Sequence, residues 1–249
     1  MMITWLEGKI IEKKQWCADL YSLKIKTESL NFVAGQFVNI GLDYNDAKIQ
    51  KPYSLVNSPN DEFLEIHLNT VKDGTFSPLL TGLAVGDTIY VSDKPNGLLT
   101  LKEVPEKATD LWLFATGTGI GPFISILNTD EPWSRFERIM LCYSAKTAEE
   151  MAYREDFKIL QKRYPDKFHF VPFITRQVST DAIHSRITTF LRSGALECHI
   201  GTALTPEDSH VMLCGNSAMI TEVSELLQEK GLQLHSRREA GQISTEKYF

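Results

Sequence analysis

Residues 111–123 read LWLFATGTGIGPF, and the choice of fold turns on them. The uninterrupted apolar run 111–115 suits a strand covered on both faces. A glycine-punctuated turn follows at once, and glycines let the backbone approach a neighbour or a ligand closely. The spacing is GxGxG rather than the GxGxxG of a dinucleotide fingerprint. Two readings therefore stand: a tight strand-to-helix turn, or a loop whose following helix faces a phosphate.

Downstream the same rhythm recurs. IMLCY (139–143) is continuously apolar, and FHFVPF (168–173) and HVMLC (210–214) nearly so. Helix-like stretches separate them, TAEEMAYREDFKILQKRY (147–164) and SAMITEVSELLQEKG (217–231). In the second, Met219, Ile220, Val223, Leu226 and Leu227 make one apolar face that stops before Gly231. Strand–helix alternation predicts a parallel sheet flanked by helices. In such sheets ligands gather at the carboxyl ends of the strands. Cys214, Gly215 and Asn216 form a second turn of this kind, although Cys214 alone reads as a small buried hydrophobe.

Upstream the period changes to two. Leu23 and Ile25 alternate with Lys24 and Lys26; Val38, Ile40 and Leu42 share a face; Leu64, Ile66 and Leu68 oppose Glu65, His67 and Asn69. That pattern predicts antiparallel strands with one buried and one solvated face, hence a small barrel or sandwich. Turn residues punctuate the strands at AGQ, NSPND, KDGT and VGD. Between two of these strands lies KPYSLVNSPN (51–60), a cation, a proline, a ring and several hydroxyl or amide groups within ten positions. Turn chemistry explains it, and so does a flat, phosphate-bearing ligand. The polar LKEVPEKATD (101–110) is the seam, giving domains at 1–103 and 109–249.

A formal net charge of −6 argues against a surface built to grip nucleic acid. No segment offers the roughly 18 apolar residues of a membrane helix, and the start lacks the pattern of a secretory signal. The four cysteines, Cys17, Cys142, Cys198 and Cys214, are widely spaced without any CxxC, so no metal site is expected. Reduced thiols in a cytoplasmic monomer are the expectation.

KPYS, GTGIGPF, CGNSAMI and STEKYF occur in that order along the chain, together with GQF, VNSP, DGTFSP and SHVMLCGN. This collinear set, covering essentially the whole chain, resembles the plant-type ferredoxin–NADP reductase family, and most closely its bacterial ferredoxin/flavodoxin reductase branch. The resemblance implies an N-terminal antiparallel Greek-key β-barrel holding non-covalent FAD. It also implies a C-terminal α/β parallel-sheet, Rossmann-like domain holding NADP(H), with an aromatic tail returning to the flavin. Lys51, Pro52, Tyr53 and Ser54 would match the family's Arg-x-Tyr-Ser flavin segment, with Tyr53 against the ring and Ser54 near N5. Lys51 replaces arginine and offers a charge without a bidentate fork. His67 would be a flavin neighbour. Gly74, Thr75, Phe76 and Ser77 would face the pyrophosphate, and Thr118 would touch the flavin.

For NADP(H), the resemblance implies a 2′-phosphate read by Lys146, Arg176 and Arg186, with Thr175, Cys214, Gly215, Asn216 and Glu222 as further nucleotide contacts. Tyr248 would cover the flavin and Phe249, in place of tryptophan, would pack on the adenine. Ser54, Cys214, Glu246 and Tyr248 would surround the reacting atoms, with Cys214 a positioning group. The implied reaction is hydride exchange between NADPH and FAD and single-electron exchange with ferredoxin or flavodoxin. An acidic carrier would need a local basic patch, for which Lys13, Lys14, Arg237 and Arg238 are candidates. The alternative within the same architecture is an NAD(P)H-dependent flavin reductase, or the reductase component of a monooxygenase.

Overall fold

Alternation in the N-terminal half produces six antiparallel strands: β1 (Trp5–Cys17), β2 (Leu20–Thr27), β3 (Phe37–Tyr44), β4 (Ala47–Ser54), β5 (Leu64–Asn69) and β6 (Thr88–Ser92). The computed structural model describes residues 4–236 and 238–248, leaving out the side chain of Tyr248. Sheet order is β4-β3-β6-β1-β2-β5, so neighbours in space are not neighbours in sequence, as in a Greek key. Beyond β4 the chain bridges Leu55 to Ile66, and the Val56 N–H donates to the Glu65 carbonyl at 2.8 Å. The two edges of the sheet thus meet, and the barrel closes. Leu23, Ile25, Val38, Ile40 and Ile66 point inward and are fully buried, each stabilising by about 1.5–3 kcal/mol.

Period two fails at one informative place. His67, expected on the solvated face of β5, is buried. Ser22 Oγ lies 3.0 Å from its Nδ1, and the Trp16 ring meets it edge-on. The outer face is therefore covered here by β1 and β2 side chains. KDGT, read as a turn, leads into a short helix, α1 (Phe76–Gly82).

The second sheet is parallel, with order β11-β10-β7-β8-β9: β7 (Asp110–Thr116), β8 (Arg138–Ala145), β9 (Phe168–Ile174), β10 (Ser209–Asn216) and β11 (Ile243–Tyr248). Helices α2 (Gly121–Leu127), α3 (Glu131–Arg135), α4 (Arg154–Arg163), α5 (Ile187–Arg192), α6 (Ala195–Ile200) and α7 (Ser217–Glu229) lie between the strands. A core of Trp112, Phe114, Met140, Val171, Leu213 and Val223 fills one side of the sheet. Two features depart from expectation. The helix expected from residue 147 starts only at Arg154, because Tyr153 adopts a left-handed backbone (φ 58°) that interrupts the turn before it. The terminal STEKY segment, read as a tail, is a fifth parallel strand.

The chain divides into two units, one of residues through Thr100 with Gly121–Thr129, the other of Leu101–Ile120 with the residues from Asp130 on. Helix α2 groups with the barrel: Ser125 Oγ donates to the buried carbonyl of Asn57 at 2.7 Å.

Candidate functional site

In the barrel, β4 carries Lys51, Pro52, Tyr53 and Ser54 opposite Ile40, Asn39, Val38 and Phe37 of β3. Pro52 is tolerated because β4 has a single strand partner at that point and needs no second donor. Lys51 and Pro52 are exposed, Tyr53 is half-buried and Ser54 is buried. The Tyr53 ring stacks on Phe76, with centroids 6.1 Å apart. Burial pushes its phenol up to about 12, so the hydroxyl stays un-ionised at physiological pH. Phe76 opens α1, and the preceding Thr75 makes no side-chain cap. The first amides of a helix have no partner within it, which leaves those of α1 for water or a ligand. Gly74 gives its own N–H to the Val71 carbonyl at 2.9 Å, and Ser77 Oγ accepts from the Val71 N–H at 2.8 Å. These two bonds shape the turn. His67 is neutral, since burial depresses its pKa to about 3.

In the parallel sheet, the chain runs outward from β7 through β8 to β9 and then returns to β10 on the other side of β7. That reversal is the switch point at which open α/β sheets bind ligands. The two turns singled out in the sequence meet there. A Cβ on Gly119 would lie 2.5 Å from the Cys214 carbonyl oxygen, and one on Gly215 (φ +123°) would collide with Thr116 Oγ1. The Asn216 N–H donates to Thr116 Oγ1 at 2.8 Å, pinning the turns together. Thr116 was not among the expected residues; its signal is a hydroxyl at the last position of a buried strand, just before the glycine turn. Asn216 Oδ1 accepts the N–H groups of Ala218 and Met219 and caps α7. Thr118 sits half-buried in the 3₁₀ turn Gly117–Ile120.

Cys214 and Glu246 are register partners on the parallel pair β10–β11, and Asn216 is paired likewise with Tyr248. Cys214 is fully buried. The strand brings together two residues that their spacing in sequence could not. Phe249 lies outside the described residues, as does the side chain of Tyr248.

The expected phosphate readers lie along the outer strand ends. Lys146 follows β8 and Arg176 follows β9, and the Arg176 N–H donates to the Lys146 carbonyl at 2.9 Å. Thr175 donates its N–H to the Ala145 carbonyl at 3.1 Å. Arg186 stands at the start of α5. All three cations are exposed, and none makes an ion pair among the described residues. Glu222 instead pairs with Arg192, at 3.4 Å.

Of the proposed carrier patch, Lys13 is engaged within the barrel, where its ammonium donates to the carbonyls of Thr81 and Leu83 at 2.5 and 2.9 Å. Lys14 lies 3.4 Å from the centroid of the Trp16 ring. Arg237 lies outside the described residues, and Arg238 donates its backbone N–H to Ser236 Oγ.

Comparison with known proteins places these halves in context. Residues 7–99 match the family described as "Oxidoreductase FAD-binding domain", and residues 113–225 match "Oxidoreductase NAD-binding domain". The chain is 38% identical over 221 residues to a flavodoxin/ferredoxin–NADP reductase of Escherichia coli (strain K12), covering 89% of each. It is 35% identical over 250 residues to the protein of the same name from Buchnera aphidicola subsp. Baizongia pistaciae, covering 100% of both. Among solved structures it is similar to a ferredoxin NADP+ reductase from Neisseria gonorrhoeae with bound FAD and NADP. There the TM-score is 0.93 at 32% identity, covering 98% of this chain and 99% of that one.

Proposed function

The chain belongs to the flavodoxin/ferredoxin–NADP reductase family, and we infer that the residues gathered on its two sheets divide the work of that reaction. It is an FAD-dependent oxidoreductase of NADP(H), with ferredoxin or flavodoxin as the electron-transfer partner. Bound FAD supplies the redox chemistry, hydride exchange with NADPH and single-electron exchange with the carrier. This chain's residues bind, orient and position.

In the barrel the donor set fits a flavin. Tyr53 offers an aromatic face and an un-ionised phenol; Ser54 is a buried hydroxyl beside it on β4. Lys51 brings an exposed charge for the pyrophosphate, and the segment Thr75–Ser77, behind the turn that Gly74 closes on Val71, brings backbone amides. His67, enclosed by Ser22 and Trp16, supports β5 as a neutral group.

In the other unit the residues fit a pyridine nucleotide. Glycine at 119 and 215 leaves the switch point without side chains where two backbones touch. Cys214 and Glu246, side by side on β10 and β11, orient the nicotinamide; Cys214 is buried and serves as a positioning group. Lys146, Arg176 and Arg186 compensate a 2′-phosphate, which a ribose hydroxyl would not require. The single observation carrying this reading is the junction of the two glycine turns at the point where the strand order reverses. Four free cysteines support a reducing, cytoplasmic setting, and no helix among the described residues is long and apolar enough to cross a membrane.

The test is the visible spectrum of the purified protein before and after anaerobic NADPH, with NADH as control. Flavin bands bleached by NADPH are expected. A colourless protein, or bleaching by NADH alone, would overturn the assignment.

A further inference from the structure

The three cations assigned to the 2′-phosphate sit on three separate segments, and a phosphate group is small. Something must hold those segments in register. Between Lys146 and Arg176 the main chain does so, through the Arg176 N–H and the Lys146 carbonyl at 2.9 Å. Arg186 arrives from the far side of an excursion, residues 175–182, that leaves β9 and returns beside it. The returning segment is bridged to β9 at Ile183, whose carbonyl accepts from the Ile174 N–H at 3.0 Å and whose N–H donates to the Pro172 carbonyl at 2.9 Å. The excursion is also tethered to α4 by Arg154, which reaches Asp181 at 2.7 Å. Neither bond fixes the turn that carries Arg176 itself.

His184 does. Its Nδ1 lies 3.1 Å from the Ile174 carbonyl, two residues before Arg176, and 3.1 Å from the Gln177 carbonyl, one residue after it. Both partners are acceptors, so Nδ1 must carry the hydrogen and donate to both, whatever the state of Nε2. One imidazole two positions before Arg186 thereby clamps the turn that bears Arg176. We propose that His184 is a positioning residue for coenzyme selection: by donating through Nδ1 to the carbonyls of Ile174 and Gln177, it sets the distance between Arg176 and Arg186 that suits a 2′-phosphate. The proposal rests on the reading of those two arginines as phosphate readers.

The two ring nitrogens provide the test. An asparagine amide falls where histidine has Nδ1, and a glutamine amide falls where it has Nε2. His184→Asn therefore keeps the clamp, whereas His184→Gln removes it without adding apolar surface at this exposed position. Adenosine 2′,5′-bisphosphate and adenosine 5′-monophosphate are titrated calorimetrically into each purified holoenzyme, after thermal unfolding has confirmed that both variants fold. The expected result is a loss of about tenfold in bisphosphate affinity for His184→Gln, with monophosphate unchanged and His184→Asn within about twofold of the parent. The KM for NADPH should rise in parallel while kcat stays level. Equal weakening of both ligands, no weakening by His184→Gln, or a His184→Asn variant as weak as Gln would each overturn the clamp. Arg176→Ala separates this from the parent reading. If Arg176→Ala weakens the bisphosphate selectively and His184→Gln does not, only the clamp fails. If Arg176→Ala weakens both ligands equally, the phosphate assignment itself fails.

Discussion

The two sheets present their ligand groups in different ways. In the barrel the side chains assigned to the flavin lie along one strand, since Lys51 to Ser54 are consecutive on β4, and only the turn before α1 adds backbone groups. In the parallel sheet they lie at strand ends, where Thr116, Gly119, Cys214, Gly215 and Glu246 come from stretches far apart in sequence. A strand-borne site depends on side chains, and its backbone is secured by the ladder whatever those side chains are. A strand-end site depends on backbones touching, and a single added carbon can separate them. The site on β4 should therefore respond to substitution by degrees, and the switch point abruptly.

The sharpest way to break this contrast is a matched pair of glycine substitutions. Gly215→Ala places a methyl against Thr116 and holds alanine at φ +123°, where a side chain is strained in any surroundings. The expected cost is about 3 kcal/mol or more, read by urea unfolding, together with loss of NADPH oxidation. Gly121→Ala, grouped with the barrel, meets Val56 Cγ2 at 3.4 Å, an ordinary contact, and should cost no more than about 1 kcal/mol. Similar losses for both would mean that the turns at the switch point are not tightly seated.

Next in size is the cation set. Arg176→Ala combined with Arg186→Ala should raise the KM for NADPH about 100-fold, near 3 kcal/mol, as two charge-assisted contacts are lost. The KM for NADH should change little. Equal losses for both coenzymes would remove these residues as phosphate readers.

What was legible beforehand follows the same division. Leu23, Ile25, Val38 and Ile40 announce a barrel because alternation is local, and KPYS declares itself because its groups are contiguous. The run 111–115 likewise signals a strand covered on both faces. Period two alone puts His67 on the solvated face, because its cover comes from Trp16 and Ser22 on other strands, which alternation cannot register. The break before Arg154 was hidden because Tyr153 is not a residue type that signals a left-handed turn. ISTEKY lacks the apolar content of a buried strand; as the edge strand of its sheet it needs burial on fewer sides. The pairing of Cys214 with Glu246 depends on that strand, so no spacing rule could have produced it.

Each unit also buries one neutral histidine, which makes their acid responses comparable. His67 in the barrel and His210 in the parallel sheet are both depressed to about 3 by burial, from an ordinary 6.5. Between these values the unfolded chain takes up a proton that the folded chain refuses. Stability is therefore complete above pH 6.5 and falls as pH drops toward 3. By pH 5 each histidine accounts for a loss of about 2 kcal/mol relative to its full contribution well above pH 6.5. His67→Asn keeps a group at the Nδ1 position facing Ser22, and His210→Gln keeps one at the Nε2 position facing Ser244. Each should flatten the decline in urea midpoint between pH 7 and pH 5. A variant whose decline parallels the parent would show that its histidine takes up its proton equally in the folded and the unfolded chain.

The smallest effect probes the barrel's dependence on side chains alone. Lys51 is exposed on β4, opposite Ile40, and has no ion-pair partner among the described residues. Arginine at this position keeps the charge and adds a planar fork that can hold phosphate oxygens in pairs. Because the site is open to water, screening limits the gain, and Lys51→Arg should tighten FAD about threefold, a difference below 1 kcal/mol. Reconstitution of the flavin-free protein at low and at physiological salt measures it, and the gain should shrink as salt rises. Lys51→Gln supplies the opposite arm, with a loss of similar size. If neither substitution moves FAD affinity at low salt, the charge on β4 does not meet the pyrophosphate. The barrel would then hold its flavin through Tyr53, Ser54 and the turn before α1, and the contrast between a strand-borne and a strand-end site would rest on the ring rather than on the cation.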